Sequence, residues 1–136
     1  ETKFITERVT ESLGNLYAMQ VLAEADASRK IAFLGDMKEL GEKEHDFHRE
    51  VAQWPCTDAI DIIHTVGPLM QSLHDVLPNG KRGQHFEDSA DMAAHAAQLV
   101  QAGDAVLLKA SLSTNMRKVV DALQELGHPP MDNKGP

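Results

Sequence analysis

The sequence predicts an α/β fold: a three-layer sandwich in which a mostly parallel sheet of about five to six strands carries helices on both faces. Two observations lead there. Short apolar runs alternate about five times with helical stretches of roughly 10 to 15 residues. Two of those runs, Ile31-Ala32-Phe33-Leu34 and Ala105-Val106-Leu107-Leu108, contain no polar residue, as strands covered on both faces do. The first runs straight into Gly35-Asp36, where a core strand emerges at its carboxyl end. That edge of a parallel sheet is where such proteins place their chemistry.

Taken in order, Lys3 to Thr6 is a weak strand, and Thr10 or Ser12 caps a helix to about Ala25 whose Leu13, Leu16, Tyr17 and Val21 fall at helical spacing. The strand Lys30 to Leu34 and the loop GDMKELGE follow. A helix from about Lys43 to Trp54 turns Phe47, Val51 and Trp54 inward, and Pro55 stops it. The β-branched run Ala59 to Val66 meets Gly67-Pro68, as a strand does before a helix with proline in its first turn. Leu69, Leu73, Val76 and Leu77 give that helix its buried stripe, and Pro78-Asn79-Gly80 makes a turn.

Lys81 to Gly83 is expected to be a polar loop and Gln84 to Glu87 a short edge strand. Asp88-Ser89 then caps an alanine-rich helix to about Val100, closed by Gly103. Asp104 to Lys109 forms another buried strand, and a last helix packs Met116, Val119, Val120, Leu123 and Leu126 before Gly127 ends it. The 136 residues suit one domain over residues 1–127, with 128–136 as a flexible tail.

Composition narrows the function classes. A formal charge of −8, with 13 basic residues scattered among 21 acidic ones, disfavours a nucleic-acid partner. No apolar run approaches the roughly 20 residues of a membrane span, and the polar start ETKFITERVTES does not read as a secretory leader. A single cysteine, Cys56, suits a reducing compartment, so the expected location is cytoplasmic. Nothing around Cys56 resembles a nucleophile signature, and it reads as a small helix-end residue.

Right-handed crossovers put every strand-to-helix loop at one sheet edge: Gly35 to Gly41, Val66 to Pro68, Glu87 to Ser89, and Lys109 to Ser113. Asp36 can bind a hydroxyl, an ammonium group or a metal there, or can cap its own turn. Lys109, with Ser111 and Ser113, can hold an anion near the start of the last helix, or serve as a snorkelling lysine beside a serine cap. His45 and His48 stand three apart with Glu44 beside them, but match no zinc-helix signature, and no metal is expected. There is no G-x-x-x-x-G-K-[ST] and no G-x-G-x-x-G between a strand and a helix, so a nucleotide must be held mainly by something else.

Several blocks together carry a resemblance: VLAEADASRKIAFLGDMKELGEKEHDFHREVAQ, IDIIHTVGPL, the His85-Phe86 pair, and GDAVLLKAS followed by MRKVVDALQELG. Over roughly Ala18 to Gly127 the chain resembles the carboxy-terminal domain of the MurF family of Mur ligases, the UDP-N-acetylmuramoyl-tripeptide:D-alanyl-D-alanine ligases. Its most specific part is LGDM-x-ELG-x(6)-H, in which His48 is the histidine.

The resemblance implies a Rossmann-like domain of an ATP-dependent, Mg²⁺-requiring amide ligase of peptidoglycan synthesis. In it, a central domain carries the P-loop and this domain closes over it, with none of the cofactors bound to this domain alone. The partners implied are the amino-terminal and central domains, UDP-MurNAc-tripeptide and D-alanyl-D-alanine. Asp36 and Met37 on one loop and Lys109, Ser111 and Ser113 on another would bind substrate or nucleotide, with Gly35, Glu39, His48 and Asn115 as further candidates and no catalytic residue of its own.

Two segments depart from that family's pattern. A D-[DE]-S-Y-N-A-N-P-like stretch is replaced by Thr6 to Leu13, TERVTESL, and Ala110 stands where the glycine of K-G-S is usual. Both changes fall on the ligand side, which keeps open a non-catalytic, diverged or redesigned domain. A receiver-like signalling module built on Asp36, Thr65 and Lys109 is the remaining alternative.

Overall fold

The computed structural model describes residues 3–6, 12–37, 44–110 and 115–124. Five strands, β1 (Lys3–Thr6), β2 (Arg29–Gly35), β3 (Ile62–Val66), β4 (Arg82–Phe86) and β5 (Asp104–Lys109), form one sheet in the order β1-β5-β2-β3-β4. Every pairing is parallel, so the carboxyl ends of all five strands lie at one edge.

The helices are α1 (Ser12–Ala23), α2 (Glu44–Glu50), α3 (Gln71–Val76), α4 (Ser89–Ala96) and α5 (Arg117–Gln124). The side-chain alternation of the central strands separates two cores. Ala32 and Leu34 of β2 and Ala105 and Leu107 of β5 join Ala18, Met19 and Leu22 of α1 and Leu73 of α3 on one face. Ile31, Phe33, Val106 and Leu108 point the other way, onto Met92 and Ala96 of α4 and Val119 and Leu123 of α5. Both faces are covered, which is why the central runs lack polar residues.

Several expected boundaries move. The stripe of α1 is rotated by one residue: Ala18, Met19 and Leu22 are buried while Tyr17 is 59% exposed, its ring left toward water by the closer approach that Ala18 permits. Val76 is likewise 47% exposed, because Met70, Leu73 and Leu77 already fill the space above the sheet. Regular helix ends at Glu50 instead of Trp54; 3-10 turns over Val51–Gln53 and Pro55–Ala59 carry the chain to β3, with Pro55 opening the second. The run from Ala59 therefore contributes a strand only from Ile62.

Arg82 and Gly83 lie in β4, not in a loop. The Asp88 cap is formed, its carboxylate accepting the Asp91 N–H at 2.8 Å. The helix it opens gives way to a 3-10 turn over Ala97–Leu99, and Gly103 at φ +93° belongs to the turn into β5. Leu126 and the tail lie outside the described residues. Among the described residues no helix is long and apolar enough to cross a membrane.

The opposite edge of the sheet is stapled by charge. Arg29, opening β2, makes a two-pronged pair with the fully buried Asp104, opening β5: Nε–Oδ1 and Nη2–Oδ2 are both 2.9 Å. The Gln101 N–H adds a third bond to Asp104, and the bond to Asp104 holds the Arg29 pKa above its ordinary value against the opposing pull of burial.

Candidate functional site

Asp36 and Met37, just after β2, are tied down by two side chains that accept backbone N–H groups. Asp36 is buried, and its Oδ1 takes the Met70 N–H at 2.8 Å, tying the end of β2 to the segment that leads from β3 into α3. His48 on α2 is fully buried and its Nε2 takes the Met37 N–H at 2.9 Å. An accepting Nε2 places the proton of a neutral ring on Nδ1. A buried N–H left without a partner would cost about 1–3 kcal/mol, so each bond stabilises one loop conformation.

Gly67 makes the first of these bonds possible. Its φ is +105°, and a Cβ there would stand 2.5 Å from the Asp36 carboxyl carbon. Only a residue without a side chain lets the carboxylate lie against this backbone. The GP of HTVGPL thus marks a close approach as well as a helix start.

Met37 and Lys109 come together at the carboxyl ends of β2 and β5. They line a narrow cleft with Met19, Leu34, Phe47, Val51, Trp54 and Met70. Lys109 is only 2% exposed and ends a strand buried throughout, so it serves this interior cleft instead of snorkelling outward. Gly35 closes β2 within the same wall. Asn115 stands apart at the foot of α5, exposed and at φ +57°, its carbonyl accepting the Lys118 N–H. Glu39, Ser111 and Ser113 lie outside the described residues, as does most of the Thr6 to Leu13 segment.

Asp36 is committed to Met70, and the one lysine at this end of β5 is enclosed by apolar side chains. Among the described residues no group of three His, Cys, Asp or Glu converges as a metal site. Cys56 is half-buried in a 3-10 turn, and burial pushes its thiol pKa up, opposite to what a nucleophile requires. The receiver-like constellation loses its geometry as well: Asp36 is covered, and the buried Thr65 hydroxyl is engaged with His85 Nδ1 at 2.7 Å.

Sequence reasoning missed a second, open cleft of about 290 Å³ lined by Gly67, Pro68, Gln71, His85 and Glu87. It lies beside the first, where β3 and β4 end. Burial and the neighbouring His74 hold the His85 pKa below its ordinary value, against the pull of Asp36, Asp75 and Glu87. The signal available was the His85-Phe86-Glu87 sequence at a strand end facing Gly67-Pro68.

Comparison with known proteins adds a family to this geometry. Residues 15–112 match the family model described as Mur ligase, glutamate ligase domain. The UDP-N-acetylmuramoyl-tripeptide--D-alanyl-D-alanine ligase of Escherichia coli is 34% identical over 112 residues, covering 81% of this chain and 24% of that protein. The Bacillus subtilis protein of the same name is 30% identical over 100 residues, covering 71% and 22%. Among solved structures, MurF from Acinetobacter baumannii superposes with a TM-score of 0.68 at 26% identity, over 90% of this chain and 27% of that one. MurF ligase from Thermotoga maritima, solved in complex with ADP, gives 0.62 at 26% identity, over 82% and 26%. The chain spans about a quarter of the length of these relatives.

Proposed function

Because the chain belongs to the Mur ligase family through its glutamate ligase domain, we propose that it is the closing domain of an ATP-dependent ligase that joins D-alanyl-D-alanine to UDP-N-acetylmuramoyl-tripeptide in peptidoglycan synthesis. The observation that carries this reading is the pair of side-chain bonds that fix the LGDM loop, Met70 N–H to Asp36 and Met37 N–H to His48. They explain why the most family-specific stretch of the sequence needs both its aspartate and its distant histidine. The relatives bearing that ligase name, about four times as long as the match, support the substrate class.

On this reading the protein works in the cytoplasm, where UDP-linked precursors are made, and needs an amino-terminal domain and a central P-loop domain. Those domains would bring ATP and Mg²⁺, whose role is to activate the tripeptide carboxyl as an acyl phosphate. Residues 1–127 would form one wall of the cleft. Asp36 and His48 are positioning residues in it: they set the loop that carries Met37 beside Lys109. Ser111, Ser113 and Glu39 remain candidates for direct contact. Closure of such a wall excludes water from a hydrolysable intermediate.

The test is a chimera in which this chain replaces the carboxy-terminal domain of a competent MurF. ATP-dependent ligation of D-alanyl-D-alanine by the chimera, with no turnover by the isolated chain, is expected. A folded chimera that binds ATP through its own P-loop yet ligates nothing would overturn the reading. That result would favour a domain kept for its fold alone, the direction in which Ala110 and the TERVTESL segment point.

A further inference from the structure

The open cleft between the ends of β3 and β4 has a definite chemical character. Three of its lining residues present no free backbone donor. The Gly67 N–H is bonded to the Phe86 carbonyl at 3.0 Å, the Gln71 N–H to the Pro68 carbonyl at 3.3 Å, and Pro68 has none to offer. No cationic side chain lines it. An anion such as a phosphate or a carboxylate would find no cationic counter-charge there.

Acceptors and negative charge are what the lining supplies. Glu87 contributes an exposed carboxylate. The Gln71 amide nitrogen donates to Asp75 Oδ1 at 2.8 Å, which leaves the Gln71 carbonyl oxygen as the acceptor it can turn to a ligand. The Asp36 carboxylate lies immediately behind Gly67. Its Oδ1 holds Met70, and its charge acts through a glycine that puts no side chain in between. The His85 ring, fixed by Thr65 through Nδ1, forms the opposite side.

From this arrangement we infer that the Gly67–Gln71–His85–Glu87 cleft is a subsite for the ammonium group of a small ligand, with Glu87 as its counter-charge and His85 as its wall. A volume of about 290 Å³ admits a dipeptide-sized molecule. The inference rests on the proposed ligase reading only for the identity of that ligand, D-alanyl-D-alanine, whose amine is the nucleophile of that reaction. It differs from that reading in placing the amine at the β3–β4 edge, away from Lys109.

The experiment is an amide chemical-shift titration of the ¹⁵N-labelled chain with three probes: D-alanyl-D-alanine, its N-acetyl derivative and ethylammonium. D-alanyl-D-alanine is expected to shift Gly67, Gln71, His85 and Glu87. N-acetylation, or Glu87→Gln in the protein, should weaken that binding at least tenfold; Glu87 is exposed, so the variant is expected to fold. Equal binding of the acetylated and free dipeptides, or binding indifferent to Glu87→Gln, overturns the subsite. Shifts from ethylammonium in the cleft with none from the dipeptide would uphold the subsite and remove the dipeptide reading. Dipeptide shifts confined to Asp36, Met37 and Lys109 would do the reverse, and no shift from any probe overturns both.

Discussion

The Asp36 carboxylate accepts the Met70 N–H at 2.8 Å across the gap between the ends of β2 and β3, and Gly67 at φ +105° is what lets it lie there. An aspartate at the end of a buried strand invites a role in ligand binding. Here its nearer task is to hold two loops in register, and the two roles separate by substitution.

Asp36→Asn keeps an acceptor at Oδ1 and is expected to stay within about 1 kcal/mol of the parent protein, whereas Asp36→Ala leaves a buried N–H unmet and should cost about 2 kcal/mol. Urea unfolding followed by circular dichroism measures both. Gly67→Ala combines a strained φ with a Cβ driven into the same carboxylate, and should cost at least as much as Asp36→Ala. Asp36→Asn being as damaging as Asp36→Ala would mean that the charge, not the hydrogen bond, matters.

The second tie of the loop makes a parallel prediction. His48→Gln can present its side-chain oxygen near the position of Nε2 and should retain most of the stability, while His48→Leu removes the acceptor of the Met37 N–H and should cost about 1–3 kcal/mol. Amide hydrogen exchange at Met37 reads the bond directly: protection should survive in the glutamine variant and fall in the leucine variant. Unchanged protection in His48→Leu would show that the loop is held by other contacts.

How much of this was legible follows from where the signals lie. The parallel sheet was readable because Ile31 to Leu34 and Ala105 to Leu108 are apolar without interruption, a pattern that only burial on both faces explains. The gathering of Asp36, Met37 and Lys109 at one edge followed from strand ends and crossover handedness. What His48 does was not readable, because its partner is a backbone N–H eleven residues away, which no periodicity marks. The same holds for the Arg29–Asp104 pair, 75 residues apart in sequence. Tyr17 and Val76 misled for a different reason: an apolar stripe fixes a helix face only to within one residue, and small side chains such as Ala18 decide the final rotation.

Asp104 offers the sharpest stability test at the edge away from the site. It is fully buried, paired with Arg29 and bonded to the Gln101 N–H, so Asp104→Ala removes the partner of a part-buried cation and the acceptor of a part-buried N–H at once. A loss of about 3 kcal/mol is expected, seen as a lowered urea midpoint with an unchanged slope. A replacement within 1 kcal/mol of the parent would mean that Arg29 finds water without cost.

His64 makes the stability of the fold depend on pH. The pairing of β3 with β4 is irregular between Ile63 and Thr65, and there the Gln84 N–H is met by His64 Nδ1 at 3.0 Å. A Cβ on Gly83 would lie 2.2 Å from that nitrogen, so the ring occupies space that glycine leaves open. Burial, aided by Arg29, lowers the His64 pKa from 6.5 to about 4. The unfolded chain therefore binds the proton first on acidification. Stability is whole above pH 6.5 and is lost as pH falls toward 4, by up to about 3 kcal/mol from this residue. Protonated Nδ1 can no longer accept from Gln84, which is the structural side of the same loss. His64→Asn, whose Oδ1 stands near the position of Nδ1, keeps an acceptor that does not titrate. Urea midpoints measured between pH 7 and 4.5 should fall more steeply for the parent than for His64→Asn, and equal slopes would show that other groups govern the acid limit.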